Sequence, residues 1–203
     1  MVGEVRFFES EPSQPRDGGE RGERSDEWWM RPALLLPSYL DSDFVVASTS
    51  EVAVVAHGIA CYPTGFHFSL ETVTRYADDH ASDGEDYGDL FWSLRRGDEL
   101  PPELLRFGVA YSDGQQATTL DAADAMDDFE DSASSERPGL RLCLGGGGGG
   151  GGRWSYKVWV SPLPPEGPVT FVCEWPAFDI EETYRELDGH RFIDAAANAK
   201  PIF

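Results

Sequence analysis

The sequence predicts a mainly β protein: an antiparallel β-sandwich with a short C-terminal helix and a disordered N-terminal tail. Three observations predict it. From Asp43 onward, short β-branched and aromatic runs alternate with turn residues. Several of these runs fall into pairs around tight-turn signals, the pattern of β-hairpins. Few helical periods separate them, so two sheets must bury each other's apolar faces.

Residues 1–42 read as tail and lead-in. Between Ser10 and Glu27 the chain is mostly Pro, Gly, Glu, Asp, Arg and Ser without apolar periodicity, a composition that buries too little to fold. Trp28 and Trp29 end that stretch. Their indoles are expected either to tack the tail onto the body or to serve as aromatic anchors for a partner.

Residues 43–180 read as the sandwich. Phe44 to Ser48 is a short strand, and "EVAVVAHGIACY", Glu51 to Tyr62, is apolar on both faces, as a central strand requires. "GFHFSLETVT", Gly65 to Thr74, places Phe66, Phe68 and Leu70 on one face, and Pro63, Thr64 and Gly65 join the two runs as a hairpin. In "LLRFGVAYSDGQQATTL" Phe107, Val109 and Tyr111 alternate inward, and Asp113-Gly114 predicts a two-residue turn. A third hairpin is expected between "WSYKVWVS" and "PVTFVCEWP" through "PLPPEG", with Val169, Phe171, Cys173 and Trp175 facing inward. With Leu140 to Leu144 the strands number about eight, which suggests an immunoglobulin-like arrangement.

Residues 181–203 read as a helical cap. In "DGHRFIDAAANAK", Asp188 is a suitable N-cap, and Phe192, Ile193, Ala196 and Ala197 fall on one side of a helix. The eight glycines Gly145 to Gly152 are read as a slack connector. As a coil they span roughly 16 Å, more than the ~10 Å between stacked sheets. An anion-binding nest is the weaker reading, because no phosphate-loop GK[ST] follows the run.

The net charge of −21 is concentrated in two acidic loops, 78–89 and 121–136, which hold thirteen of the 37 acids and no Lys or Arg. Both read as solvated insertions. The negative field and the lack of a basic stripe argue against nucleic acid and against an anionic membrane surface as partners. Three cysteines, Cys61, Cys143 and Cys173, form no CxxC pair and indicate no disulfide framework. No signal-like start and no membrane-length apolar run are found, so the expected setting is cytoplasmic, with reduced thiols.

Chemistry-bearing motifs are sparse. Asp79, Asp83 and Gly84 match three positions of a calcium loop, but Ala81 and Leu90 occupy positions that need oxygen ligands. His57, His67, His80 and His190 lack metal spacing, although His57 and His67 could approach each other across the first hairpin. No nucleophile elbow occurs, and Cys173 falls among core aromatics. No catalytic, cofactor-binding or metal-binding residue is therefore assigned. One feature points outward: Trp154, Tyr156, Val158 and Val160 share the inner face of their strand, leaving Trp159 and Lys157 on the other. An indole beside a cation suits a protein partner or a sugar ring.

"ELLRFGVAYSDG", the glycine run and "PLPPEGPVTFVCEWPAFDIEET" together resemble a family of bacterial proteins of unassigned function. The resemblance covers about Phe44 to Ala197 and implies no activity or ligand. The expected role is a non-catalytic interaction or accessory module with a protein partner. The alternatives are a carbohydrate or small-ligand binder using the Trp159 face, and a hydrolase whose site carries no recognised motif.

Overall fold

A computed structural model gives the fold. It describes residues 31–75, 100–121 and 139–203. In chain order the strands are β1 (Leu35–Leu36), β2 (Ser38–Tyr39), β3 (Phe44–Ser48), β4 (Val52–Tyr62), β5 (Gly65–Thr74) and β6 (Arg106–Tyr111). There follow β7 (Gln116–Thr118), β8 (Arg141–Gly150), β9 (Arg153–Ser161), β10 (Pro168–Trp175) and β11 (Ile180–Asp188). A helix, α1 (Gly189–Ala197), and a last strand, β12 (Lys200–Pro201), complete the described chain.

Pairing is antiparallel throughout these elements. One sheet runs β2-β4-β5-β9-β8, with β3 also on β4; a second runs β11-β10-β6-β7; β1 and β12 form a short ribbon. The fold is mainly β with one short C-terminal helix, as the sequence predicts. Its strand order is not the ABED and CFG arrangement of immunoglobulin domains.

The two larger sheets meet through aromatic rings. Phe68 of β5 lies 5.8 Å from Phe107 of β6 and 5.7 Å from Phe171 of β10, measured between ring centroids. Phe192 of α1 reaches Phe66 at 4.7 Å, so the helix closes one end of this cluster. Phe66, Phe68, Phe107, Phe171 and Phe192 are all buried. Each such side chain contributes about 1.5–3 kcal/mol by leaving water. The predicted inward face of β10 is observed in full: Val169, Phe171, Cys173 and Trp175 are buried. The Asp188 carboxylate accepts the His190 N–H at 3.0 Å, the expected N-cap of α1. On the helix, Phe192 and Ala196 are buried, whereas Ala197 is exposed.

Strand β4 changes phase along its length. Val52, Val54 and Ala56 face the core, then Ile59 and Cys61 do. The switch is a bulge, two residues opposite one, where Gly58 takes φ +63° and donates its N–H to Asp43 Oδ1 at 2.9 Å. It allows an eleven-residue strand to keep apolar side chains inward at both ends.

Four expectations need correction. The third hairpin does not form: β9 and β10 lie in different sheets, and "PLPPEG" carries the chain between them. The turn residues there are real, but local sequence does not say which partners a strand will find. The second hairpin turns through three residues, Ser112 to Gly114, with Tyr111 donating to the Gln115 carbonyl at 2.8 Å and Gly114 at φ +88°. Residues 181–203 are more than a helical cap, because β11 reaches from Ile180 to Asp188 along the edge of the second sheet.

The fourth correction concerns the glycine run, which is not slack. Gly145 to Gly150 continue β8 against β9, and Gly151 and Gly152 make the reversal at φ +61° and +80°. Close approach explains two of the strand glycines. A Cβ on Gly147 would sit 2.7 Å from Tyr156 Cδ1, and one on Gly149 would sit 2.1 Å from the Arg153 carbonyl oxygen. Ordering glycine in a strand costs roughly 0.5–1 kcal/mol per residue relative to alanine. The ladder to β9 and the packing of its aromatic residues offset that cost.

Candidate functional site

Strict alternation on β5 and β9 builds two different surfaces from one sheet. The even-numbered residues Phe66, Phe68, Leu70, Tyr156, Val158 and Val160 go to the core. The odd-numbered ones form the outer face. Across the sheet the register sets Ala60, His67, Trp159 and Cys143 side by side, then His57, Ser69 and Lys157 in the next row.

Trp159 and Lys157 therefore stand on one face, as predicted, and the structure surrounds them with residues that the sequence reading did not group. Trp159 is half-buried. Its ring lies 5.8 Å from that of Tyr62 in an edge-on arrangement and covers Gly65, where an added Cβ would meet its Cζ2 at 2.9 Å. Tyr62 is in turn 5.9 Å from His67. Tyr39, 65% exposed, and Arg31 complete this aromatic end, acting electrostatically on Tyr62. Burial pushes the Tyr62 phenol up, against the opposing pull of Arg31. His67 is pushed below its ordinary value, first by burial and then by the positive charges of Arg31 and Lys157. Its Nδ1 is buried without a hydrogen-bond partner.

The other end of the face is polar. Lys157 Nζ donates to Ser69 Oγ at 2.6 Å. Arg153 Nε donates to Glu71 Oε1 at 2.6 Å, and His57 Nε2 lies 3.2 Å from Glu71 Oε2. The Arg153 hydrogen bond holds the Glu71 carboxyl below its usual range. His57 and His67 do not face each other: the bulge pairs His57 with Ser69 and His67 with Ala60.

Ser, Lys, His and Glu in one cluster invite comparison with a hydrolytic site, but the geometry works against it. Ser69 lies on a strand paired on both sides, so its backbone groups belong to ladders. An oxyanion needs free donors aimed at it. The thiols offer no nucleophile either. Burial pushes Cys61 and Cys173 up to about 12 and also raises Cys143.

Trp28, Trp29, the calcium-like residues and loop 78–89 lie outside the described residues, as does loop 121–136 beyond Asp121. Asp121 itself accepts from Thr118 N and Thr118 Oγ1 at 3.0 and 2.7 Å. Among the described residues no group of three His, Cys, Asp or Glu side chains is placed to hold a metal ion. No helix among them is long and apolar enough to cross a membrane. Comparison with family models, curated proteins and solved structures finds no match to the chain. The outer face thus stands on its own geometry. The signal that could have revealed it is the alternation of Gly65, His67, Ser69 and Glu71 with Phe66, Phe68 and Leu70.

Proposed function

We propose that the protein is a non-catalytic interaction module that binds a protein partner through the outer face of its six-stranded sheet. Trp159 and Lys157 are the contact residues. The observation that carries this reading is the grouping of Trp159, Tyr62, Tyr39 and His67 beside Lys157 and Arg31 on a face that β-pairing leaves open. Aromatic rings beside cations supply large contact area with few rotatable bonds, the composition of interface hot spots. Three free thiols are compatible with a reducing, cytoplasmic setting. The concentration of acidic charge disfavours nucleic acid as the partner.

The test is affinity capture from the native host with the wild-type chain and with Trp159→Ala and Lys157→Glu variants that retain the wild-type circular dichroism spectrum. A partner held by the wild type and lost by both variants supports the reading. Capture of the same partner by all three overturns it. A sugar is the second reading, favoured by the Trp159 indole beside the hydrogen-bonding Lys157 and Ser69 pair. Binding to an immobilised glycan panel, lost in Trp159→Ala, would select it instead.

A further inference from the structure

The glycine run supplies a docking edge that the outer face alone does not explain. Strand β8 ends the six-stranded sheet: β9 pairs with one side of it, and among the described residues no strand pairs with the other. Its residues Gly145 to Gly150 are exposed. Sheet edges are ordinarily guarded by lysines, prolines, inward-pointing charges or bulges, because unpaired backbone groups capture other strands; the register of β8 is irregular between Leu144 and Gly147 and regular from Gly147 to Gly150. Here six consecutive positions carry no side chain. At Gly146, Gly148 and Gly150 an added Cβ would meet nothing within 4 Å, so side-chain guards would fit on the outer face there and the sequence supplies none.

Charge selects the occupant. Residues 139–165 contain Arg141, Arg153 and Lys157 and no acid, in a chain with 37 acidic and 16 basic residues. Arg141 begins β8, Arg153 follows the glycine reversal, and Lys157 adjoins Gly145, whose Cβ would lie 3.3 Å from the Lys157 Cβ. Glu71 engages the Nε of Arg153, and that side chain remains 62% exposed. At physiological salt, charges are screened beyond about 8 Å, so a docked strand senses these cations when its carboxylates lie along β8. A second copy would bring the same three cations to the edge and a net charge of −21 behind them.

We propose that the outer edge of β8 receives an extended acidic peptide of the partner by β-strand addition. Backbone hydrogen bonds to Gly147–Gly150 supply the affinity, and Arg141, Arg153 and Lys157 supply the preference for carboxylates. The inference rests on the interaction-module reading and names the chemistry of its partner.

The experiment titrates two short peptides into the full chain, one alternating Glu with Val and Thr, the other with Lys in place of Glu. Hydrogen exchange of residues 145–150 and fluorescence anisotropy of the labelled peptides are the readouts. The acidic peptide should slow exchange across Gly147–Gly150 and bind at least about tenfold more tightly than the basic one. Relative to the neutral double variant Gly146→Gln, Gly148→Gln, which brings side chains of similar bulk, Gly146→Lys, Gly148→Lys should bind the acidic peptide more tightly and Gly146→Glu, Gly148→Glu less tightly. All three pairs of substitutions occupy open space, and unchanged melting temperatures verify their folds.

Equal binding of the two peptides, the same response to Lys and Glu substitutions, or no binding overturns the proposal. So does dimerisation of the unliganded chain that protects the same amides. A host partner lost on Trp159→Ala but indifferent to the glycine substitutions overturns the edge while leaving the interaction-module reading intact.

Discussion

Two hairpins of the same sheet reach the same backbone arrangement by different means. In β4–β5 the register is written in side chains: Phe66 opposes Cys61 and Leu70 opposes Ala56, all facing the core, and a one-residue slip would turn them to water. In β8–β9 one partner has no side chains from Gly145 to Gly150. Its place is imposed from across the ladder, where Tyr156 and the Arg153 carbonyl leave room for hydrogen alone at Gly147 and Gly149. A strand can thus be specified by its own alternation or by the shape of its neighbour. Only the first kind leaves a periodic mark in the sequence.

The strongest way to break the comparison is to remove a ring from the side-chain-defined hairpin. Phe68→Ala should cost about 3–5 kcal/mol in urea unfolding, since Phe68 is buried between both sheets. A loss below about 1 kcal/mol would place Phe68 outside the core and invert the register of β5. The glycine hairpin should answer to smaller changes, and with opposite signs at neighbouring positions. Gly149→Ala should destabilise by about 1–3 kcal/mol, because its Cβ collides with backbone 2.1 Å away. Gly148→Ala meets open space and should stabilise by about 0.4–1 kcal/mol through the unfolded chain. Equal effects at the two positions would mean that the run behaves as coil.

The smallest expected effect is a pH dependence confined to the first hairpin. Burial lowers His67 from its ordinary 6.5, so on acidification the unfolded chain takes up this proton before the folded one does. The stability linked to neutral His67 is therefore complete above pH 6.5 and falls as the pH drops below it. Melting temperatures measured through that window should decline in the wild type and flatten in His67→Gln. Gly148→Ala should keep the wild-type slope, because Gly145–Gly150 has no titratable side chain.

The same contrast explains what could be read in advance. The inward face of β10, the Phe66-Phe68-Leu70 stripe, the Tyr111 face and the Asp188 cap were legible, because each is a local pattern that burial or capping demands. Strand β11 was not. Its Glu181, Glu182, Arg185 and Glu186 are exposed, so no apolar alternation marks it, and only pairing with β10 makes it a strand. The candidate site was half legible: Trp159 and Lys157 follow from alternation on β9. Tyr62 reaches them because the Gly58 bulge shifts the phase of β4, and Arg31 comes from a remote part of the chain.

By itself the sequence determined the class of the fold, the inner faces of its apolar strands and the helix at its end. These depend on period and on the transfer of apolar groups from water, both properties of a few adjacent residues. Tertiary structure alone decided that β9 and β10 part to different sheets and that β11 closes an edge. It also decided that eight glycines form a strand and its turn rather than a tether. Those outcomes depend on which backbone groups remain unpaired once the core has formed, and that is a property of the assembled sheets.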